Sequence, residues 1–320
     1  MRKAILLYNP ASGQRLHRRE EQVESVAAIL RAAGVEAAAE PTWDAGTAGQ
    51  QAAEAIAAGC DTVIACGGDG TVQDVLQGMV GTTAHLGVIP LGTGNVLAHD
   101  IGIPRKDPAA AARVLLQATP TEVALGRLDF PRKATKTRTR YFIAITGIGA
   151  EAQLFYSLSD GYKQRTGMVA YYTESFRQWL SYHFPLFEVE FRDLHTGQMR
   201  NETVSQVLAV RIGFFGGVLR NLAPGAALAH RDFRLVLFKT RSKLTYLRFI
   251  TATLLGFSRN ISGIELTNAT ELRCQALDGS DGARIYVEAD GELLGSLPVS
   301  VSLVPDALHL LLPNKPPVLR

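Results

Sequence analysis

A chain of 320 residues exceeds the length at which one hydrophobic core usually stops growing, so two domains are expected. With 47% hydrophobic and 20% charged residues it can bury a large core, which excludes global disorder. The 33 basic and 30 acidic residues leave a net charge of +3, too even a balance for a nucleic-acid binder, so any electrostatic partner must be read locally.

The apolar stretch Ala4 to Tyr8 behind Met1-Arg2-Lys3 is too short for a secretory signal and is read as a first strand. From there to about Thr121, short apolar runs alternate with helical stretches, the pattern of a parallel sheet with crossover helices. Strands are expected at Ala4 to Tyr8, Val35 to Ala39, Thr62 to Cys66 and Leu86 to Ile89, with helices near 17–33, 47–58, 71–80 and 107–117. In the third helix Val72, Val75, Leu76 and Met79 recur at i, i+3, i+4 and i+7, giving one face to a sheet.

After Thr121 the segments turn β-rich: Glu122 to Leu128, Tyr141 to Thr146, Phe187 to Phe191, Val204 to Arg211, Phe233 to Phe238, Gly263 to Thr267, Ala283 to Ala289 and Val299 to Val304. Helical stretches at about Met168 to His183 and Lys243 to Gly256 interrupt them. The expected architecture is an α/β nucleotide domain with a parallel sheet over 1–125, and an antiparallel β-sandwich or barrel over 126–304, with 305–320 returning to the first domain. Cys60, Cys66 and Cys274 lack CxxC spacing and are read as buried thiols in a reducing compartment. The longest apolar stretch, Leu244 to Ile264, is interrupted by Arg248, Arg259 and Asn260, so a peripheral or soluble chain is expected, not a spanning one.

Thr62 to Cys66 runs into Gly67-Gly68-Asp69-Gly70-Thr71 and then a helix. Such a junction aims backbone N–H groups and a positive helix end at one point, and its glycines let an anion approach. Asp69 would repel a bare phosphate, which argues for Mg²⁺ carried by a nucleoside triphosphate. The alternative is a tight turn in which Asp69 merely caps the helix. Two further small-residue loops, Asn9-Pro10-Ala11-Ser12-Gly13 and Pro90-Leu91-Gly92-Thr93-Gly94-Asn95, also follow strands and should emerge at the same carboxyl edge, where ligands gather.

In that order and spacing, the NPxSG, GGDGT and PxGTGN loops resemble the diacylglycerol kinase catalytic family, which also contains sphingosine, ceramide and bacterial lipid kinases. A downstream Asp290-Gly291-Glu292 is similar to the family's late DGE motif, so the resemblance covers nearly the whole chain. It implies a fold of the NAD kinase and diacylglycerol kinase type, and an ATP-dependent transfer of the γ-phosphate to a lipid hydroxyl with Mg²⁺. Carried over, Asn9, Pro10, Ser12, Gly13, Thr42 and Thr93 would touch the nucleotide, with Gly67, Gly68, Asp69, Gly70, Thr71, Val72 and Gln73 around its phosphates. Glu292 would be the general base, and Asp290 its metal or orientation partner. Asn95 and Glu151 would meet the lipid substrate, although Glu151 reads equally as a salt-bridged surface residue. The run Gly147-Ile148-Gly149-Ala150-Glu151-Ala152 mimics a dinucleotide fingerprint, but its place in the β-rich half argues against one.

Bacterial relatives hold a structural Mg²⁺ with acids in a PDA…DDG stretch; the matching segment 223–232 has Gly225, Ala229 and His230 where acids would stand. That site is expected to be lost or rebuilt, leaving the nucleotide's Mg²⁺ with Asp69. Gln73-Asp74 replaces the family's Asn-Glu, and Val96 its frequent Asp.

The loop Phe130 to Arg140 carries five basic residues and no acid except outside it, which suits an anionic lipid surface or simple solvation. The aromatic stretch with Tyr171, Tyr172, Phe176 and Trp179 would line an acyl pocket or pack a core. Expected partners are thus a lipid substrate and an anionic membrane surface, with a homodimer left open, no nucleic acid, and a cytoplasmic location at the inner face of the membrane. An NAD kinase and a catalytically idle lipid or nucleotide sensor remain as alternatives. No GxxxxGKS or GxxxxGKT loop, HExxH helix or GxSxG elbow is present.

Overall fold

The computed structural model describes residues 1–10, 16–44, 46–131, 138–150, 152, 182–215, 222–256, 260–277 and 284–314. The chain forms two compact units, Met1–Leu125 with Phe214–Gly217 and Val304–Arg320, and Gly126–Gly213 with Val218–Leu303.

In the first unit, β1 (Lys3–Tyr8), β2 (Glu36–Pro41), β3 (Thr62–Gly67) and β4 (His85–Pro90) pair in parallel in the order β2-β1-β3-β4, and the last part of a late strand joins β4 in parallel through His309 and Leu310. The buried apolar runs of β1, β3 and β4 suit strands covered on both faces, whereas β2, at the edge, keeps alternate residues exposed. Helices α1 (Leu16–Ala32), α2 (Ala48–Ala57), α3 (Asp69–Gln77), α4 (Val96–Asp100) and α5 (Pro108–Leu116) cross between them. Local sequence sets some of these ends: Asp107 caps α5 by accepting the Ala109 and Ala110 N–H groups at 2.9 and 3.1 Å, with Pro108 at the first helical position. The α3 face bearing Val72, Val75 and Leu76 is buried as its periodicity requires, and Met79, just past the helix end, is buried with it.

The second unit is antiparallel. One sheet runs β12-β11-β10-β7-β14-β15, built from β7 (Ile145–Gly149), β10 (Gln206–Val210), β11 (Phe233–Phe238), β12 (Ile264–Ala269), β14 (Tyr286–Ala289) and β15 (Glu292–Ser296). The other pairs β8 (Phe187–Arg192) with β9 (Met199–Val204) and β13 (Glu271–Ala276), β13 with residues 299–302 of β16 (Val299–Leu312), and β5 (Thr119–Phe130) with β6 (Arg138–Phe142). Residues from both sheets, among them Phe142, Ile148, Phe187, Phe191, Leu235 and Val301, share one core, the arrangement of a sandwich. Helix α6 (Lys243–Leu254) follows β11.

Two apolar runs are corrected. The strand expected over Tyr141 to Thr146 is two strands, β6 in one sheet and β7 in the other. The run Val204 to Arg211 likewise divides between β9 and β10 at Ser205, whose buried hydroxyl bonds the Phe238 and Thr240 carbonyls and the Tyr246 hydroxyl. β13 and β15 escaped the reading: in β13 polar residues alternate with apolar ones, and β15 is a short run ending in Gly-Ser. The aromatic stretch 168–181 lies outside the described residues, as does 132–137 of the basic loop; Arg138 donates to the Leu294 carbonyl and Arg140 pairs with Glu292. Cys66 and Cys274 are buried free thiols, pushed upward in pKa by burial, and Cys60 is half-buried and free.

Candidate active site

The β3–α3 junction starts from its glycines. Gly68 is the N-cap of α3 in extended backbone, and its carbonyl accepts the Thr71 and Val72 N–H groups at 3.1 and 3.2 Å. A Cβ on Gly67 would fall 2.3 Å from Thr71 Oγ1, so any larger residue would force the turn open. Thr71, Val72 and Gln73 are 8%, 4% and 1% exposed, and their side chains belong to the interior. Gly68 and Asp69 are half-buried and Gly70 is exposed, so the outward chemistry is backbone N–H and one carboxylate at a positive helix end.

The β4 loop is fastened to this junction. Leu91 and Gly92 donate to the Gly67 carbonyl at 2.8 and 3.2 Å, and a Cβ on Gly92 would meet Gly68 Cα at 2.5 Å. Asn95, 5% exposed at φ 49°, accepts the Gly92 N–H at 3.0 Å and donates to the Gly92 carbonyl at 2.7 Å. Its amide closes the loop on itself, so its effect here is on loop shape. Asp69 Oδ1 accepts the Val96 N–H at 2.7 Å, and a Cβ on Gly94 would crowd Asp69 Oδ2 at 2.7 Å. Asp69 thus ties one glycine loop to the next at the start of α4. Thr93 stands exposed at the tip.

Two neighbouring loops complete this edge. Thr42, behind β2, donates its N–H to the Tyr8 carbonyl at 2.8 Å, and half-buried Asn9 with exposed Pro10 follows β1. Ser12 and Gly13 lie outside the described residues. Because β1 sits between β2 and β3, the chain reverses its winding direction there, and the loops behind β1 and β3 flank the crevice where open parallel sheets bind ligands. Two supports were missed by sequence reading. Arg19 of α1, 6% exposed, donates to the Leu91 carbonyl at 2.8 Å, and Asp74 accepts the Gly46 N–H at 3.1 Å, holding the loop behind β2. Arg19 sits in a charged helical run whose composition sets it apart from nothing around it.

In the second unit Asp290-Gly291 forms the two-residue turn of the β14–β15 hairpin, with φ 48° and 84°, the primed geometry that Asp-Gly favours. The Asp290 carboxylate accepts the N–H groups of Ile143, Ala144 and Ile145 at 2.8, 3.0 and 2.9 Å, pinning the passage from β6 to β7. Glu292 pairs with Arg140 at 2.6 Å and stays partly exposed. Glu288, 1% exposed, accepts the Gly291 N–H at 3.0 Å. Glu151 lies outside the described residues. Gly147 and Gly149 are in a strand paired on both sides; Gly149, at φ 109°, has the Ser205 carbonyl 2.5 Å from where its Cβ would stand, so β10, and no dinucleotide, accounts for it. A groove of about 690 Å³ on this unit, lined by Arg127, Asp129, Glu190, Arg192, Glu271 and Arg273, contains none of the motif residues.

Segment 222–232 does not fit a divalent cation. Among the described residues no cluster of three His, Cys, Asp or Glu could hold a metal. The fully buried Arg211 ties this segment instead: Nη1 donates to the His230 and Asp232 carbonyls at 3.2 Å each and Nη2 to the Leu228 carbonyl at 3.1 Å. Burial pulls its pKa down to about 10 against the attraction of Asp232, which leaves it charged at neutral pH. Asp232 itself accepts the Asn268 side-chain N–H at 2.9 Å. Asp69 offers one carboxylate beside the α3 terminus, a donor set suited to a metal whose other oxygens come from a bound triphosphate and water.

Residues 3–128 match the family described as the diacylglycerol kinase catalytic domain, and residues 144–312 the YegS C-terminal NAD kinase beta sandwich-like domain. A diacylglycerol kinase of Bacillus subtilis is 28% identical over 98% of this chain and 98% of its own length. One of Mycobacterium tuberculosis is 28% identical over 98% and 96%. A crystal structure titled as a diacylglycerol kinase from Bacillus anthracis shares the fold at TM-score 0.69 and 20% identity, covering 98% of this chain and 97% of the other. Yeast NADH kinase, solved with NADH, shares it at TM-score 0.52 and 12% identity, covering 97% and 83%.

Proposed function

This chain belongs to the family that joins a diacylglycerol kinase catalytic domain to a YegS C-terminal NAD kinase β-sandwich-like domain, and from that membership we propose that it is an ATP-dependent lipid kinase acting on diacylglycerol or a related lipid alcohol. The observation that carries the reading is the convergence at the carboxyl edge of one parallel sheet. The glycine turns behind β3 and β4 are bonded to each other through Gly67, Gly92 and Asp69, beside the switch point at β1. Phosphoryl transfer asks little covalent chemistry of the protein and much positioning of the phosphates, which rigid N–H-lined turns supply.

In the proposed reaction the N–H groups of Gly68, Asp69 and Gly70 and the α3 terminus hold the triphosphate, with Asn9, Thr42 and Thr93 around the nucleotide. Asp69 would hold its Mg²⁺, which neutralises phosphate charge when bound. The lipid hydroxyl oxygen attacks the γ-phosphorus, the bond to the β–γ bridging oxygen breaks and ADP leaves, and the hydroxyl proton passes to Glu292. Arg140 orients Glu292, and Asp290 acts through the backbone it pins as a positioning residue.

The test is transfer of labelled γ-phosphate from ATP to a panel of diacylglycerol, sphingoid base and ceramide in mixed micelles, with NAD as a competing acceptor. A labelled lipid phosphate is expected. NADP formation without lipid phosphate would make the chain an NAD kinase, and nucleotide binding without transfer to any acceptor would make it a sensor; either result overturns the proposal.

A further inference from the structure

Of the eight large apolar side chains most exposed among the described residues, five belong to α6 and the residue after it: Leu244 at 55%, Leu247 at 49%, Ile250 at 40%, Leu254 at 45% and Leu255 at 63%. At about 100° per residue these five fall within roughly 140° of the helix circumference. The opposite face is fixed. Tyr246 stacks on Phe238 at 4.5 Å and bonds the buried Ser205 hydroxyl at 2.9 Å, Phe249 meets Phe238 edge-on at 5.0 Å, and Thr253 is 3% exposed. The helix therefore cannot roll to hide its leucines without losing its own core contacts. Ser242 caps its start, accepting the Thr245 N–H at 3.4 Å.

Charge identifies the occupant. From Thr240 to Ile264 the sequence holds four basic residues, Arg241, Lys243, Arg248 and Arg259, and no acid. On α6 itself Arg248 lies just beyond the Leu255 edge of the apolar stripe, and Lys243, the first residue of the helix, stands at its N-terminal end, with exposed Arg241 just before it. An apolar stripe with cations at one edge and at its N-terminal end matches the boundary between acyl chains and anionic headgroups. A second copy of this chain fits poorly: the stripe, about 18 Å long and 10 Å wide, is a few hundred Å² against the roughly 800 Å² per partner of a stable interface, and its cations would set like charges together.

We propose that α6 docks this protein on anionic bilayers, with Leu244, Leu247, Ile250, Leu254 and Leu255 entering the interface and Arg248 pairing with lipid phosphates. The inference deepens the lipid-kinase reading and rests on it for its biological sense, though docking is measured without catalysis. It also accounts for a helix whose sequence came nearest to a membrane span while no described helix is long and apolar enough to cross one.

The test uses the full chain without nucleotide, co-sedimented with vesicles of phosphatidylcholine alone or mixed with phosphatidylglycerol. Binding is expected to be tighter on the anionic vesicles and to weaken in high salt. The triple variant Leu244→Ser, Leu247→Ser, Leu254→Ser should bind about a hundredfold more weakly, since each half-exposed leucine contributes roughly fivefold, with an unchanged unfolding midpoint. A Leu247→Trp variant should be quenched by bromine-labelled acyl chains beyond the parent protein's own tryptophans. The proposal fails if the triple variant binds as the parent does, if bound Leu247→Trp is not quenched, or if the same leucines instead hold a lipid-free dimer in sedimentation velocity. Phosphorylation of a short-chain substrate in solution separates the two readings. Intact transfer with lost vesicle binding in the triple variant supports docking. Absence of transfer in every form, with vesicle binding still following the stripe, overturns the kinase reading alone.

Discussion

Replacing Arg211 with methionine keeps most of the side-chain volume and removes the charge, which isolates what the guanidinium does. Two effects oppose each other. Relief from burying a cation favours the variant, and buried ion pairs replaced by apolar groups are often neutral. Here, however, the partners are three main-chain carbonyls that remain in place, Leu228 in a buried bond and His230 and Asp232 in part-buried ones, and a buried acceptor left unpaired costs about 1–3 kcal/mol. The losses win, and Arg211→Met should destabilise the chain by about 3–5 kcal/mol, a large share of the 5–15 kcal/mol typical of a folded protein. Urea unfolding followed by circular dichroism, run in EDTA and in millimolar Mg²⁺, checks this. The parent should give one midpoint in both buffers, and Arg211→Met a lower one in both. A parent midpoint that falls in EDTA and returns with Mg²⁺, or a variant within about 1 kcal/mol of the parent, would show that segment 222–232 does not depend on this side chain.

Other changes separate positioning from chemistry. Glu292→Gln should leave stability within about 0.5 kcal/mol while reducing lipid phosphorylation by roughly 10²–10⁴-fold, measured as kcat in the micelle assay. Asp290→Asn should lower the unfolding free energy by about 2–4 kcal/mol, because it weakens three charge-assisted bonds to Ile143, Ala144 and Ile145; an unchanged midpoint would refute that role. Gly92→Ala drives a methyl onto the Gly68 backbone, and a stability loss of about 1–3 kcal/mol with at least a tenfold drop in transfer is expected. Asp193, covered yet shallow, is held down to about 2: burial raises its pKa, but bonds from Arg200, the His195 and Thr196 N–H groups and the Thr267 hydroxyl outweigh that. A depressed carboxylate stabilises the fold above its unfolded pKa near 4 and loses that contribution as pH falls toward about 2. Asp193→Asn should therefore cost about 2 kcal/mol at neutral pH and flatten the acid limb of the unfolding curve between roughly pH 4 and 2.

Local chemistry was legible from the residue order. Buried apolar runs gave β1, β3 and β4, periodicity gave the inner face of α3, and glycines between a strand and a helix gave the turn at Gly67 to Thr71, because each depends on backbone sterics and on neighbours a few residues away. Asp290-Gly291 as a hairpin turn is of the same kind.

Tertiary structure decided what depends on partners distant in the chain. That β1 lies between β2 and β3, and so sets a crevice beside the glycine turns, is a fact of strand order that no run of residues contains. Val72 and Gln73, read as nucleotide neighbours from their place in a motif, turn inward because helix phase, and not motif membership, aims a side chain. Asn95 is turned to its own loop, Arg19 reaches a carbonyl 72 residues away, and Arg211 stands where sequence alone offered only missing acids. A missing carboxylate is visible in a sequence; the guanidinium that ties this segment is visible only when the fold brings it to the carbonyls.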